Sequence, residues 1–320
     1  MHYLTRMTTH TTADVDVIIP LYNVERYIAR ALRSVLAQTL LPRRILVVND
    51  GSTDSGADVV SDVQRWNTTP TEIIHLYKPN GGLSSARNHG IGYATAAYVA
   101  FLDADDLWEP TKLELQMACL EQLRPEPVAM VYCRSHAIDE EDRSIAGSET
   151  LGWEPLRGRV FDQLLRVNLI SGSASAVVIR RTCLETVGGF DQQLSALEDI
   201  DLWLRIAQEG SIDLVEKDLV ALRRHPHNMQ KDTTHMLRNM IIFYRKWFSH
   251  GRSRPEVMKE WGHLIAVFAL RANDPAAARY MATTAFDADQ RSALFPRTFG
   301  SLGLYMLLKR LRAHTNAIRR

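Results

Sequence analysis

The stretch Val15–Asn23, VDVIIPLYN, is a β-branched apolar run that stops at a proline and opens into a polar turn. Such a run reads as a buried strand, and the turn marks the strand's carboxyl end. The arrangement recurs. Ile45–Val48 leads into Asn49-Asp50-Gly51-Ser52-Thr53-Asp54, Glu72–Tyr77 into Asn80-Gly81-Gly82, and Ala97–Leu102 into Asp103-Ala104-Asp105-Asp106. Between these runs the apolar spacing becomes helical: Glu25–Gln38, with Ile28, Ala31, Leu32, Val35 and Leu36 on one face, then Asp54–Trp66 and Leu83–Ala94. This alternation predicts an α/β fold, a mostly parallel sheet with helices on both faces. Ligands are expected beyond the carboxyl ends of the strands, where the four polar turns gather.

Past Asp106 the pattern is mixed. Lys112–Gln122 reads as a helix, Val128–Cys133 and Ser173–Ile179 as strands, and Leu219–Leu222 as a short strand. Glu198–Glu209 is a helix whose first turn carries Glu198, Asp199 and Asp201. From about Thr234 only helical patterns remain, at His235–Ser249, Pro255–Ala272, Pro275–Ala288 and Ser301–Ala313. Phe268–Leu294 is faintly like a tetratricopeptide helix pair, and one copy does not establish a repeat. The expected organisation is a disordered extension over 1–13, an α/β domain over 14–234, and a basic all-helical segment over 235–320.

The chain has 320 residues, 46% apolar and 23% charged, the balance of a soluble globular protein. Its net charge of +1 conceals a split. Residues 1–230 hold 22 Lys and Arg against 31 Asp and Glu; residues 231–320 hold 16 against 6. The basic surplus ends in Lys309, Arg310, Arg312, Arg319 and Arg320, beside Leu302, Leu304 and Met306–Leu308. Such a tail suits the acidic domain or a second subunit, a homodimer, and also an anionic membrane surface. Cys119, Cys133 and Cys183 are odd in number and widely spaced, as expected of reduced thiols rather than a disulfide framework or zinc site. The first 14 residues have no apolar core of a secretory signal. The longest nearly unbroken apolar stretch, Ile91–Leu102, is too short to span a bilayer. A cytoplasmic location follows as the expectation, with peripheral contact on the inner membrane face through the tail.

Asp103 and Asp105, two residues apart at a strand end, can point into one site. Paired carboxylates suit a hard divalent cation, Mn²⁺ or Mg²⁺, which also takes oxygens from a diphosphate. An Asp-rich turn is the simpler reading of the triplet alone. The strand Tyr98–Leu102 is too apolar, however, to end casually in three carboxylates. With VDVIIPLYN, VVNDGSTD (Val47–Asp54), NGGLSSARNHGI (Asn80–Ile91) and FLDADD (Phe101–Asp106) come GGFD (Gly188–Asp191), LEDIDLWLR (Leu197–Arg205) and RRHPHNMQ (Arg223–Gln230). In this order, across residues 14–230, the seven segments resemble the family 2 glycosyltransferases, inverting nucleotide-sugar enzymes of the Rossmann-like GT-A fold.

The resemblance implies roles that can be set beside simpler ones. Tyr22 offers a ring to a nucleobase, or is a strand–turn residue held by Pro20. Asp50 accepts hydrogen bonds from uracil or ribose, or caps a turn, a role better suited to Asp54. Gly82 and Arg87 suit a loop that approaches diphosphate and supplies a cation. Pro20, Glu25, Asn80, Asp103 and Ala104 complete the donor set, while Asp105 and His225 hold the metal; His227 is a bystander. Asp199 is the expected base, because three acids in four positions exceed what a helix dipole needs. Glu198 and Trp203 are tentative acceptor contacts, with core packing the rival reading of Trp203.

No Q-x-x-R-W segment of the processive members is present, so one sugar per encounter is expected. The implied partners are a nucleotide-sugar, UDP-sugar favoured, and a glycan or lipid-linked acceptor, with nucleic acid excluded. The rival readings are weaker. An aspartate-nucleophile phosphatase carries its D-x-D after the first strand, and a sugar-nucleotide pyrophosphorylase a glycine-rich basic loop where Leu21-Tyr22-Asn23 stands. No G-x-G-x-x-G supports a dehydrogenase. A degenerate transferase serving as a carbohydrate-binding scaffold would have lost Asp105 or Asp199. Donor and acceptor choice falls to Ile138–Leu169, whose acidic run Asp139–Asp142 reads as a solvated loop.

Overall fold

The computed structural model describes residues 11–122, 125–148, 155–166, 170, 173–225, 232–248 and 255–274. Eight strands form one sheet in the order β3-β2-β1-β4-β7-β6-β8-β5. Its first half is the predicted parallel unit: β1 (Thr12–Leu21), β2 (Leu41–Asn49), β3 (Glu72–Tyr77) and β4 (Tyr98–Phe101). The connecting helices are α1 (Glu25–Leu36), α2 (Gly56–Trp66) and α3 (Leu83–Tyr93). The apolar face of α1 is buried at Ile28, Ala31, Leu32 and Val35, the positions that its spacing marks out. Helix α3 packs close to β1 because Gly90 lacks a side chain; a Cβ there would lie 2.5 Å from the Cγ2 of Ile18.

Register explains why the polar turns converge. Leu21 pairs with Asn49, and Asn49 with Tyr77. The residues that follow, Tyr22, Asp50 and Lys78, therefore leave the sheet at one level. Ile18 pairs with Phe101, which brings the Asp103 turn to the same edge.

The second half is mixed rather than parallel. Strand β7 (Val177–Arg180) runs antiparallel to both β4 and β6 (Val128–Ile138). Strand β8 (Ser211–Arg223) is parallel to β6, and the short β5 (Leu107–Trp108) closes the edge antiparallel to β8. Strand direction first reverses between β4 and β7, beside the Asp103–Asp106 turn. Helices α4 (Lys112–Leu120), α5 (Phe161–Arg166), α6 (Arg181–Val187) and α7 (Glu198–Glu209) complete this unit.

Three local expectations change. Residues Ser173–Ala176 form a 3-10 turn instead of strand, because their hydroxyls are committed to the Asp103 turn. The run Leu219–Leu222 is the end of the thirteen-residue β8. Strand β1 begins at Thr12, inside the extension expected to be disordered.

The chain divides into two compact units, Met1–Pro226 and His227–Arg320. In the second, α8 (Thr233–Phe248) and α9 (Pro255–Arg271) pack through Phe243 and Trp261, whose ring centroids are 4.9 Å apart. No helix among the described residues is long and apolar enough to cross a membrane. The helices expected over 275–288 and 301–313, the basic terminal cluster, most of the tetratricopeptide-like stretch and His227 lie outside the described residues.

Candidate active site

The turns after β1 and β2 are stitched together before any ligand is considered. The Glu25 backbone amide donates to Asp54 Oδ2 at 2.8 Å, and the Ser55 amide to Glu25 Oε2 at 2.7 Å. Each carboxylate thus serves a donor at the start of the other's helix. Asn23, in the left-handed region at φ 52°, accepts from the Thr53 amide at 2.8 Å. Tyr22 remains about half exposed (51%) on this rim, and Pro20 is buried in the strand.

Asp50 is buried and occupied. Its Oδ1 accepts from Lys78 Nζ and from the Gly81 amide at 3.0 Å, and its Oδ2 from the Gly82 amide at 2.8 Å. Asn80 returns a bond from Nδ2 to the Asp50 carbonyl at 3.0 Å. A carboxylate has about four acceptor positions, so most of Asp50's capacity shapes the Asn80–Gly82 loop. Gly82 supplies the φ of +84° that lets this loop enter α3. Lys78, one residue past β3, is a cation that sequence reasoning missed; its signal was its place at the same level as Tyr22 and Asp50.

Arg87 differs most from expectation. Its side chain is fully buried, with Nη1 donating to Glu198 Oε1 at 2.8 Å and Nη2 to Asp103 Oδ1 at 2.6 Å. The guanidinium lies 5.0 Å over the Phe190 ring. Burial opposes its charge, but Asp103 and Glu198 outweigh that and raise its pKa above the ordinary value. Both Nη groups are therefore committed inside the protein rather than turned toward a diphosphate. Glu198 is spent on the same contact and is not presented to an acceptor.

Asp103 is held from three sides. Oδ1 meets Arg87, Oδ2 accepts from Ser173 Oγ at 3.1 Å, and its backbone amide donates to Ser175 Oγ at 3.0 Å. Ser175 Oγ also lies 2.7 Å from Asp106 Oδ2, and burial, with Asp105 and Asp103 nearby, pushes Asp106 well above the carboxylate range. Ala104 faces the core. Ser173 and Ser175 sit some seventy residues away in sequence and carry no motif.

Asp105 Oδ2 and His225 Nε2 lie 2.9 Å apart, with the side chains 23% and 10% exposed. The His225 ring stacks on Tyr27 at 5.6 Å. The contact as it stands is a hydrogen bond; neighbouring corners of an octahedron with ~2.1 Å bonds are also about 3 Å apart, so the same two atoms could hold Mn²⁺ or Mg²⁺ once that bond is given up. No group of three or more His, Cys, Asp or Glu with such spacing exists among the described residues. A cation here would need further oxygens from water or a substrate, as Mg²⁺ sites commonly do.

The three acids of α7 separate cleanly. Glu198 serves Arg87, and Asp201 is buried against Arg205 at 2.9 Å, one turn on. Asp199 accepts only a 2.7 Å bond from the Ile200 amide among those resolved around it. Burial and the adjacent Glu198, opposed by that amide and Arg87, push its pKa up to about 7. Trp203 is fully buried in the middle of α7 and offers no open face to a sugar.

Two motifs distant in sequence are thus joined by one buried arginine, at the edge where ligands of such sheets bind. Residues 16–188 match the profile of Glycosyl transferase family 2. The chain belongs to that family. An uncharacterized glycosyltransferase of Rickettsia typhi is 32% identical over 238 residues, 73% of this chain and 70% of the relative. Among solved structures, S. aureus TarS 1-349 in complex with UDP-GlcNAc superposes with a TM-score of 0.53 at 20% identity, over 86% of this chain and 72% of that one. The mannosyltransferase from Pyrobaculum calidifontis in complex with GDP-Man and Mn²⁺ gives 0.55 at 22% identity, over 95% and 81%. These likenesses establish the GT-A-like fold, and membership of the family makes the chain a glycosyltransferase. The phosphatase, pyrophosphorylase and scaffold readings fall away.

Proposed function

We propose that this glycosyltransferase is metal-dependent and inverting, and adds one sugar from a nucleotide-sugar, UDP-sugar favoured, to a hydroxyl of a glycan or lipid-linked acceptor. The observation that carries the reading is the Arg87 bridge, which fixes the first turn of α7 against Asp103. Asp199 is thereby held near the donor turn with a pKa of about 7, suited to accepting a proton near neutral pH. Asp105 and His225 would hold Mn²⁺ or Mg²⁺; bound there, the cation supplies Lewis-acid neutralisation of the leaving diphosphate.

The chain's own residues do the rest. Tyr22 stacks on the base, and the Asn80–Gly82 loop, braced by Asp50 and Lys78, sets the backbone near the phosphates. Asp199 takes the proton of the acceptor hydroxyl as that oxygen attacks the anomeric carbon and the carbon–diphosphate bond breaks. One displacement inverts the anomeric centre. The TarS complex contains UDP-GlcNAc and the mannosyltransferase complex GDP-Man, so the preference for a uridine donor here belongs to the proposal and not to the fold. The basic tail is proposed to dock on a second subunit or the acidic unit, with an anionic inner-membrane surface as its other resting place.

The test is a thermal-shift screen of UDP- and GDP-sugars with Mn²⁺, followed by turnover of the best donor by wild type and Asp105→Ala. Metal-dependent turnover that falls at least ~100-fold in the variant is expected. Unchanged turnover overturns the metal assignment.

A further inference from the structure

The acidic run Asp139–Asp142 faces solvent, with Glu141 and Asp142 exposed, but it is not irregular. It is a tight hairpin, with the Asp139 amide donating to the Arg143 carbonyl at 2.9 Å, and it is pinned to α1. Arg26 lies 3.4 Å from Glu140 and 3.3 Å from Glu141, and Arg30 lies 2.9 Å from Asp142. Besides the hairpin's own Arg143, which pairs with Asp139 and Glu141, a further cation reaches it: Arg223, the last residue of β8 and two before His225.

The Arg223 side chain is fully buried and reaches three segments at once. Nε donates to the Asp105 carbonyl at 2.7 Å, Nη1 to the Asp139 carbonyl at 2.7 Å, and Nη2 lies 2.5 Å from Asp142 Oδ1. Its backbone amide donates to Asp106 Oδ1 at 3.0 Å. The guanidinium also lies 4.8 Å over the ring of Tyr27, the ring on which His225 stacks. A planar fork suits this division of labour, and an ammonium on a flexible stem does not.

We propose that Arg223 is the positioning residue for the Asp105–His225 pair, locking both to the acidic hairpin and to Tyr27. Arg223 grips the Asp105 carbonyl, so it fixes the residue without competing for the carboxylate that a cation would use. Through Tyr27 the same guanidinium sets the plane against which the imidazole lies. Arg26 and Arg30, 5.5 and 5.3 Å from the Tyr27 ring, hold the hairpin and ring together from the α1 side. The consequence for metal binding rests on the reading of Asp105 and His225 as ligands; the positioning itself does not.

The experiment compares wild type, Arg223→Lys, Asp142→Asn and Asp105→Ala in the full chain. Free Mn²⁺ is followed by electron paramagnetic resonance in the presence of UDP or GDP. The His225 ring resonances, assigned with His225→Gln, are recorded by NMR without metal. Arg223→Lys is expected to weaken Mn²⁺ binding on the order of 10–100-fold, the usual cost of losing a partner behind a metal ligand, and to shift the His225 signals. Asp142→Asn keeps the bond to the Asp105 carbonyl and should move both readouts the same way, but less. Folded Arg223→Lys with wild-type Mn²⁺ affinity and unmoved His225 signals overturns the proposal, even if its melting temperature falls. If Asp105→Ala binds Mn²⁺ like wild type, the metal reading fails, and the His225 shift alone decides the role of Arg223.

Discussion

Two carboxylates, Asp16 in β1 and Asp199 in the first turn of α7, behave in opposite ways. Asp16, near the start of β1, is fully buried, yet Arg44 pairs with it at 2.5 Å and the Thr95 and Ala96 amides donate to it at 2.7 and 2.9 Å. Burial pushes its pKa up, but these partners win and hold it below the ordinary value of 3.8. Asp199 lies among carboxylates with one local amide bond, and its pKa rises to about 7. Burial acts on both. What differs is how fully the charge is satisfied: a saturated carboxylate gives stability, and an under-satisfied one keeps affinity for a proton.

The largest expected effect breaks the second half of this contrast. Asp199→Asn should lower transfer about 10³-fold, within the range of a lost general base, while nucleotide binding stays near wild type. Loss of nucleotide affinity instead would assign Asp199 to the donor. The same variant should melt no lower than wild type at pH 8. A carboxyl whose folded pKa is raised takes up protons on folding between the unfolded and folded values, so stability falls as pH rises through that window.

Asp16→Asn breaks the first half. It leaves Arg44 poorly paired and should cost about 3 kcal/mol by chemical denaturation, with kcat of the folded enzyme unchanged. The depressed pKa of Asp16 also has a pH signature. Its stabilisation is present above the unfolded value of 3.8 and is lost as pH falls through the lower folded value. Acid titration of stability should therefore lose a component in the variant; an identical acid limb would refute the assignment. Smaller again, Tyr22→Ala should raise the donor KM roughly 10-fold, since stacking a base on an aromatic ring contributes about 1–3 kcal/mol. An unchanged KM would take Tyr22 out of the donor site.

The parallel half of the fold was legible because local pattern and tertiary structure agree there. Strand β3 and helix α7 have the boundaries that their residues predict, and the turns at Tyr22, Asp50 and Asp103 reach one edge because the β1–β2 and β1–β4 registers align them. The rest depends on partners that periodicity cannot see. Arg87 reads as a free cation until Glu198, 111 residues away, is placed against it. The Asp139–Asp142 run reads as a solvated loop and does face solvent, but its ties to Arg26, Arg30 and Arg223 on two other elements are invisible to periodicity. Trp203 shares a helical face with Asp199 at i+4, yet α7 is buried almost all round, so proximity along a helix does not give exposure.

The central claim is that Asp199 is the proton acceptor and titrates near neutrality. It is tested most directly by kcat/KM for the best donor and acceptor against pH, at fixed Mn²⁺, in wild type and Asp199→Asn. The account predicts a wild-type limb that rises with pH through an apparent pKa of about 7 and then levels, and a slow variant whose residual rate lacks that limb. A variant that retains the same limb, or a wild type flat from pH 5 to 9, would contradict it.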